Sequence, residues 1–168
     1  MVKEVMDMKW TKWAWTIAVP VVGGMASGYI ANRLNAKNEQ TKEQYEQMKQ
    51  PPFSPPTVVF PIVWPILYTT MGVAHGLVKQ KEENGPASKL YYSQLGLNFL
   101  WSYLYFGKQN KEAGLVDIAM LLGLVGATTS SFYKVDETAG RLMLPYLGWT
   151  AFATYLNAGT IVLNQPEK

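Results

Sequence analysis

A chain of 168 residues with a net charge of +3 and no cysteine fits one domain and excludes disulfides, thiolate nucleophiles and cysteine metal sites. Its lone histidine excludes most zinc and triad designs, and the scattered positive charge forms no stripe for nucleic acid. Mean hydropathy is −0.04, but this average hides segregation. Charged residues crowd into Met1–Lys12, Arg33–Lys49, Lys79–Lys89, Lys108–Glu112, Lys134–Arg141 and the C-terminus. Five long stretches between them carry almost no charge, the pattern of a multi-span membrane protein.

The first predicted span is Trp10 to Ile30, kinked at Pro20. Trp10, Trp13 and Trp15 sit at its start, where an interfacial aromatic belt belongs. Gly24 and Gly28 form a GxxxG pair that lets another backbone approach. No small-residue cleavage site follows this run, so no cleavable signal peptide is predicted. Arg33 to Gln50 is polar, without an apolar face, and reads as a short exposed helix. It leads into Pro51-Pro52-Phe53-Ser54-Pro55-Pro56, where four prolines in six residues forbid a helix.

The second span is Thr57 to Val78. Trp64, Tyr68, Met71 and His75 step by four, three and four and share one helical face. An aromatic wall under a stiff proline lid suggests a ligand pocket. His75 reads first as a buried, hydrogen-bonded residue, and less readily as a pH-sensitive group or haem ligand. Gly72 and Gly76 repeat the GxxxG spacing. The third span, Leu90 to Phe106, carries Gln94, Asn98, Trp101 and Tyr105 at helical spacing. Intramembrane amides avoid lipid, so this face serves helix contact or a cavity. The fourth span, Ala113 to Phe132, holds Asp117 near its start, as an N-terminal charge or a pocket acceptor. The fifth, Arg141 to Leu163, sets Pro145, Trp149, Phe152 and Leu156 on one face, with Ala151, Ala153 and Ala158 allowing close neighbours. The fold class is therefore all-α, an integral membrane bundle of five transmembrane helices. Lysine and arginine divide almost evenly between its two sides, so no positive-inside bias emerges.

No nucleophile elbow, Walker loop, GxGxxG or HExxH occurs. No metal site or resident cofactor is expected. An aromatic pocket of Trp64, Trp101, Trp149, Tyr68, Phe152 and Phe53 suits flat apolar ligands such as a tetrapyrrole or sterol. Lys49, Arg33 and Lys108 near its mouth could pair with carboxylates.

Several segments carry a resemblance. They are the proline lid with Pro61-Ile62, Trp64, Leu67-Tyr68 and Met71-Gly72; Gly96-Leu97-Asn98-Phe99-Leu100-Trp101 with Phe106-Gly107; Ala113-Gly114-Leu115-Val116-Asp117; and Leu144-Pro145-Tyr146-Leu147-Gly148-Trp149 through Tyr155-Leu156-Asn157. In this order they resemble the TspO/translocator-protein family, also called peripheral benzodiazepine receptors, from about Val19 to Asn157. The resemblance implies one five-helix domain over 1–168, with 33–56 as a ligand-covering loop. It also implies binding of porphyrins such as protoporphyrin IX and haem-like tetrapyrroles, of sterols or of benzodiazepine-type ligands, and a tendency to form a homodimer in the lipid bilayer. The implied ligand residues are Tyr45, Phe53, Trp64, Tyr68, Asn98, Trp101, Asp117, Trp149, Phe152 and Ala153. A receptor or carrier is the favoured function. Light-dependent porphyrin breakdown using Trp64 and Trp149 is the alternative, and a scaffold for partner proteins is a third. The implied location is the mitochondrial outer membrane in a eukaryote and the cell envelope in a bacterium. The chain departs from the family's pattern in three places. Gln44 precedes Tyr45 where a Trp is usual, Phe53 replaces a lid Trp, and Ala158-Gly159-Thr160-Ile161-Val162 lacks the Tyr and Arg of the animal sterol motif.

Overall fold

In the computed structural model, residues 2–36, 48–82 and 85–164 are described, with the backbone alone for 2–12, 32, 35 and 36. Among them are five long helices and no strand. The helices are α1 (Val2–Ala36), α2 (Val59–Lys81), α3 (Pro86–Ser102), α4 (Lys111–Val135) and α5 (Glu137–Leu163). A π-helical turn, Tyr103–Gly107, continues α3. The bundle is the predicted all-α one. The exposed helix expected ahead of the lid falls mostly on 37–47, outside the described residues.

Local chemistry sets the boundaries. The prolines hold 50–56 out of helical structure, and α2 begins at Val59 with Pro61 in its first turn, where a missing N–H costs little. Pro86 opens α3 for the same reason. Asn110 caps α4 by accepting the Ala113 N–H at 2.9 Å, and Asp136 caps α5 by accepting the Ala139 N–H at 2.9 Å. Asp136 alone separates α4 from α5, so the two helices turn back on each other and pack extensively. α1 continues through the buried Pro20.

Three segments are long and apolar enough to cross a membrane: Trp13–Ala31, Val59–Lys81 and Lys111–Val135. α3 and α5 are less apolar because they carry Gln94, Asn98, Thr150, Asn157 and Thr160, all of which are buried inside the bundle. These polar groups face protein, as intramembrane polar groups must. Outside, Val22, Met25, Ile62, Ile66, Val116, Met120, Leu144 and Val162 are exposed, which suits a surface against lipid. The chain is an integral membrane protein.

α1 and α2 run antiparallel at very close range. A Cβ on Gly72 would stand 2.7 Å from the Thr16 carbonyl oxygen and 2.8 Å from the Ile17 Cα; one on Gly76 would meet the Trp13 ring at 2.9 Å. On α1, a Cβ on Gly24 would sit 2.1 Å from the Tyr68 ring. Gly72, Gly76 and Gly24 thus make close contacts within one chain. Gly28 meets no neighbour and borders open space instead.

Candidate functional site

α2 starts directly under the proline lid, and its first three turns present Phe60, Trp64 and Tyr68 at four-residue spacing, on one face. That face lines a cavity of about 500 Å3 whose other walls are Gly24, Met25 and Gly28 of α1, Pro61 and Pro65 of α2, Ser102 of α3 and Phe106 of the π turn. Pro65 has no N–H to give the Pro61 carbonyl, so the helix has a backbone irregularity in this wall. Trp64 stacks on Tyr68 with centroids 5.4 Å apart and stands 6.3 Å from Trp101. The cavity opens between α1 and α2, where Met25 and Pro61 are exposed.

A second space of about 30 Å3 lies beneath Gln50, between Trp101, Tyr105, Ala153, Leu156, Asn157 and Thr160. Phe60 and Phe106 belong to both linings, so these two rings stand between a roomy space and a narrow one. Beyond Phe60, Trp149 meets it edge-on at 5.9 Å, and Phe152 lies 5.9 Å from Trp149. The buried Trp149 indole N–H has no hydrogen-bond partner among the described residues.

The polar groups behind the aromatic wall are paired in a chain. The Tyr68 hydroxyl donates to Asn98 Oδ1 at 2.6 Å, Asn98 Nδ2 donates to the Tyr146 hydroxyl at 3.0 Å, and that hydroxyl donates to Gln94 Oε1 at 2.9 Å. Trp101 Nε1 donates to Asn157 Oδ1 at 3.3 Å, and Asn157 Nδ2 donates to the Lys111 carbonyl at 3.0 Å. Between buried groups such bonds fix ring orientation, because breaking one is costly; at the end of the run Gln94 Nε2 has no partner among the described residues.

The lid is fastened to the end of α5. Lys49 N–H donates to Asn164 Oδ1 at 3.0 Å and Asn164 Nδ2 returns a bond to the Lys49 carbonyl at 2.9 Å. Tyr155 donates to the Pro52 carbonyl at 3.1 Å. Pro51 packs so tightly on Gly159 that a Cβ there would lie 2.7 Å from the ring. The next residues turn sharply. Ser54 N–H bonds the Pro51 carbonyl at 3.2 Å and Phe53 adopts φ 65°, with Pro52 at the second position, the arrangement of a type II turn.

The predicted site residues thus separate. Trp64 and Tyr68 wall the large cavity; Trp101 and Ala153 line the small one; Trp149 and Phe152 adjoin it through Phe60. Asn98 stands behind the wall, tied to Tyr68. Phe53 is 89% exposed, turned outward by its backbone rather than into a pocket. Asp117 is buried in the second turn of α4, and neither carboxylate oxygen has a hydrogen-bond partner among the described residues; it lines neither cavity. Tyr45 lies outside the described residues. The stripe Trp64, Tyr68, Met71, His75 also divides, since Met71 is fully buried and His75 lies toward the far end. Phe60 and Tyr146 were not singled out from the sequence. The spacing 60, 64, 68 would have found Phe60. The three basic groups expected at the mouth do share the lid end: Arg33 lies over the Tyr29 ring at 5.2 Å, Lys108 over Tyr103 at 5.7 Å, and Lys49 is held at Asn164.

Residues 16–163 match the TspO/MBR family. The chain belongs to that family. It is 36% identical over 154 residues to a translocator protein homolog of Schizosaccharomyces pombe, covering 87% of this chain and 88% of that one. A tryptophan-rich protein TspO of Chlorobaculum tepidum is 40% identical over 153 residues, covering 89% and 96%. The human translocator protein is 40% identical over 119 residues, covering 67% and 70%. Membership covers the whole bundle from Thr16 onward, including every wall of both spaces.

Proposed function

We propose that this family member is a membrane receptor or carrier for porphyrin-like ligands, held against Trp64 and Tyr68 in the cavity between α1 and α2 below the lid. The observation that carries this reading is the wall itself. A stacked Trp–Tyr pair, two phenylalanines and a glycine face surround about 500 Å3, within the range of small-molecule sites. A flat macrocycle gains ring contact and apolar burial there. Its carboxylates would reach the basic end, where Arg33, Lys49 and Lys108 stand. Turning Phe60 and Phe106 aside would join the two spaces and bring Trp101, Ala153, Trp149 and Phe152 to the same ligand. Residues 33–56 form the ligand cover in this reading, with Tyr45 within it. Sterols and benzodiazepine-type molecules are secondary ligands of the same wall, and the chain assembles as a homodimer. Its membrane is the mitochondrial outer membrane in a eukaryote or the cell envelope in a bacterium.

The test is a protoporphyrin titration of the purified chain, followed by tryptophan emission. Trp64→Ala removes an aromatic anchor and should weaken binding about thirty-fold. Trp64→Phe keeps most of the area and should bind nearly as well. Gly28→Leu should fill the cavity and block binding. Unchanged affinity in both Trp64→Ala and Gly28→Leu would place the ligand elsewhere.

Photochemical breakdown of the porphyrin is the second reading, favoured by one observation. Trp149, whose indole N–H has no partner among the described residues, meets the ligand wall through Phe60. In that reading Trp64→Phe and Trp149→Phe variants bind the pigment but do not bleach it under illumination. Bleaching at the unmutated rate leaves the tryptophans as walls alone.

A further inference from the structure

At the end of the bundle opposite the lid, a separate cavity of about 200 Å3 lies between α1, α2 and α3, lined by Trp15, Thr16, Val19, Pro20, His75, Lys79, Tyr91 and Tyr92. Its floor is an aromatic stack. The His75 and Tyr91 rings lie 4.1 Å apart at 17°, Tyr92 meets His75 edge-on at 5.0 Å, and Phe132 backs the stack. His75 Nε2 is within 3.2 Å of Ser88 Oγ. The Tyr91 hydroxyl is itself buried and presents no surface to the cavity. One group in the lining is unspent. Lys79, one helical turn past His75, has no ion-pair partner among the described residues, whereas Lys81 nearby is bound to Asp136 at 2.7 Å.

The rim has a different character. Trp15, Val19 and Tyr92 are all exposed, so the cavity opens sideways, on the surface that faces lipid. Trp15 and Tyr92 mark the depth at which aromatic side chains meet the headgroup layer. A cation without an ion-pair partner in the lining of a side-facing opening, with an apolar and aromatic rim, matches one ligand chemistry. It is a phosphate carried on an acyl-bearing molecule. Basic pockets between transmembrane helices are a recurrent form of headgroup site, and a lysine ammonium bonds a phosphate oxygen with the added strength of charge.

We propose that this cavity is a lateral site for the headgroup of an anionic phospholipid, with Lys79 pairing the phosphate and Trp15 and Tyr92 flanking the upper acyl chains. The site is independent of the porphyrin cavity, being at the other end of α1 and α2.

The experiment uses the full chain in neutral mixed micelles, titrated with phosphatidylglycerol or phosphatidylcholine that carries brominated acyl chains, with quenching of tryptophan emission as the readout. Phosphatidylglycerol should quench at lower concentration than phosphatidylcholine. Lys79→Gln should cost about five-fold in apparent affinity for phosphatidylglycerol, and Lys79→Arg should restore it. Equal quenching by the two lipids, or an unchanged preference in Lys79→Gln, would overturn the proposal. So would displacement of the lipid by inorganic phosphate at equal concentration, because it would make the acyl chains irrelevant. If Lys79→Gln does not fold, a photoactivatable phosphatidylglycerol decides the matter on the unmodified chain. Adducts within 15–20 or 79–92 support the site, and adducts confined elsewhere overturn it.

Discussion

At the lid end, the large cavity is walled by rings and glycine, and behind that wall a run of hydrogen bonds leads from Tyr68 through Asn98 and Tyr146 to Gln94, whose Nε2 has no partner among the described residues. At the far end, a smaller cavity is walled by rings too, but its lining includes Lys79, which has no ion-pair partner among those residues. The same residue types do different work in the two places. A hydrogen bond from behind holds the Tyr68 ring in place, so an apolar ligand meets a face whose hydroxyl is already bonded. A lysine in the lining leaves a demand that an anionic ligand can meet. The first kind of site selects by shape and ring contact, and the second by charge.

The largest effect is expected where the two ends are joined. Gly72 sits midway along α2, against the α1 backbone, so a side chain there separates the helices that wall both cavities. Gly72→Leu places new atoms where the Thr16 carbonyl oxygen now lies 2.7 Å from an added Cβ. Backbone cannot yield as a flexible side chain can, so the cost should be about 3 kcal/mol, at the upper end of ordinary overpacking. A sharp fall in thermal stability, with loss of ligand response at both ends, is the expected result. Gly148→Leu, where an added Cβ meets nothing within 4 Å, is the control and should be nearly silent. Equal stability of the two variants would refute the close α1–α2 contact.

A smaller change should act on the lid end alone. Asn98→Leu removes the acceptor for Tyr68 and the donor to Tyr146 at once, leaving buried hydroxyls to find other partners at about 2 kcal/mol. Porphyrin affinity should drop because Tyr68 no longer fixes the ring on which Trp64 stacks. Quenching by phosphatidylglycerol at the far end should stay as it was. Loss of both responses would mean that the two ends are not energetically separate.

Much of this was readable from the sequence, and the parts that were not have physical reasons. Five spans followed from charge segregation, since a lipid-facing helix tolerates few charges anywhere along its length. The shared face of Trp64, Tyr68, Met71 and His75 was also legible, because helical periodicity depends on spacing alone. Depth was not. Eleven residues of α2 separate Trp64 from His75, a rise of about 16 Å, so one stripe serves two cavities and the core between them. Phe53 could not be placed by pattern, since its outward direction follows from a turn in which it takes φ 65°. Asp117 reads in sequence as an N-terminal charge or a pocket acceptor, and the packing of α4 against α3 and α5 buries it outside both cavities. Trp101 and Trp64 came together, at 6.3 Å, through helix contacts that no local signal encodes.

The smallest effect concerns the single residue that closes the far end. Asp136 accepts the Ala139 N–H through one oxygen and the Lys81 ammonium through the other, at 2.9 and 2.7 Å. The Lys81 bond comes first and the Ala139 N–H second in holding this carboxyl below its usual range. The sign follows from linkage. A carboxyl with a depressed folded-state pKa binds fewer protons folded than unfolded, so its contribution is fully present above the ordinary aspartate value near about 4. It is lost as pH falls through the lower folded value. Asp136→Asn keeps a side-chain oxygen that can cap α5 and removes only the charge. At neutral pH the variant should therefore melt no more than a few degrees below the unmutated chain, because an exposed ion pair contributes little. The gap should shrink on acidification below about pH 4 and should narrow in high salt. Asp136→Ala loses the cap as well, so its deficit should be larger and should persist in salt. A gap between Asp136→Asn and the unmutated chain that widens as the pH falls would show that the Lys81 pair does not hold the ends of α2, α4 and α5 together.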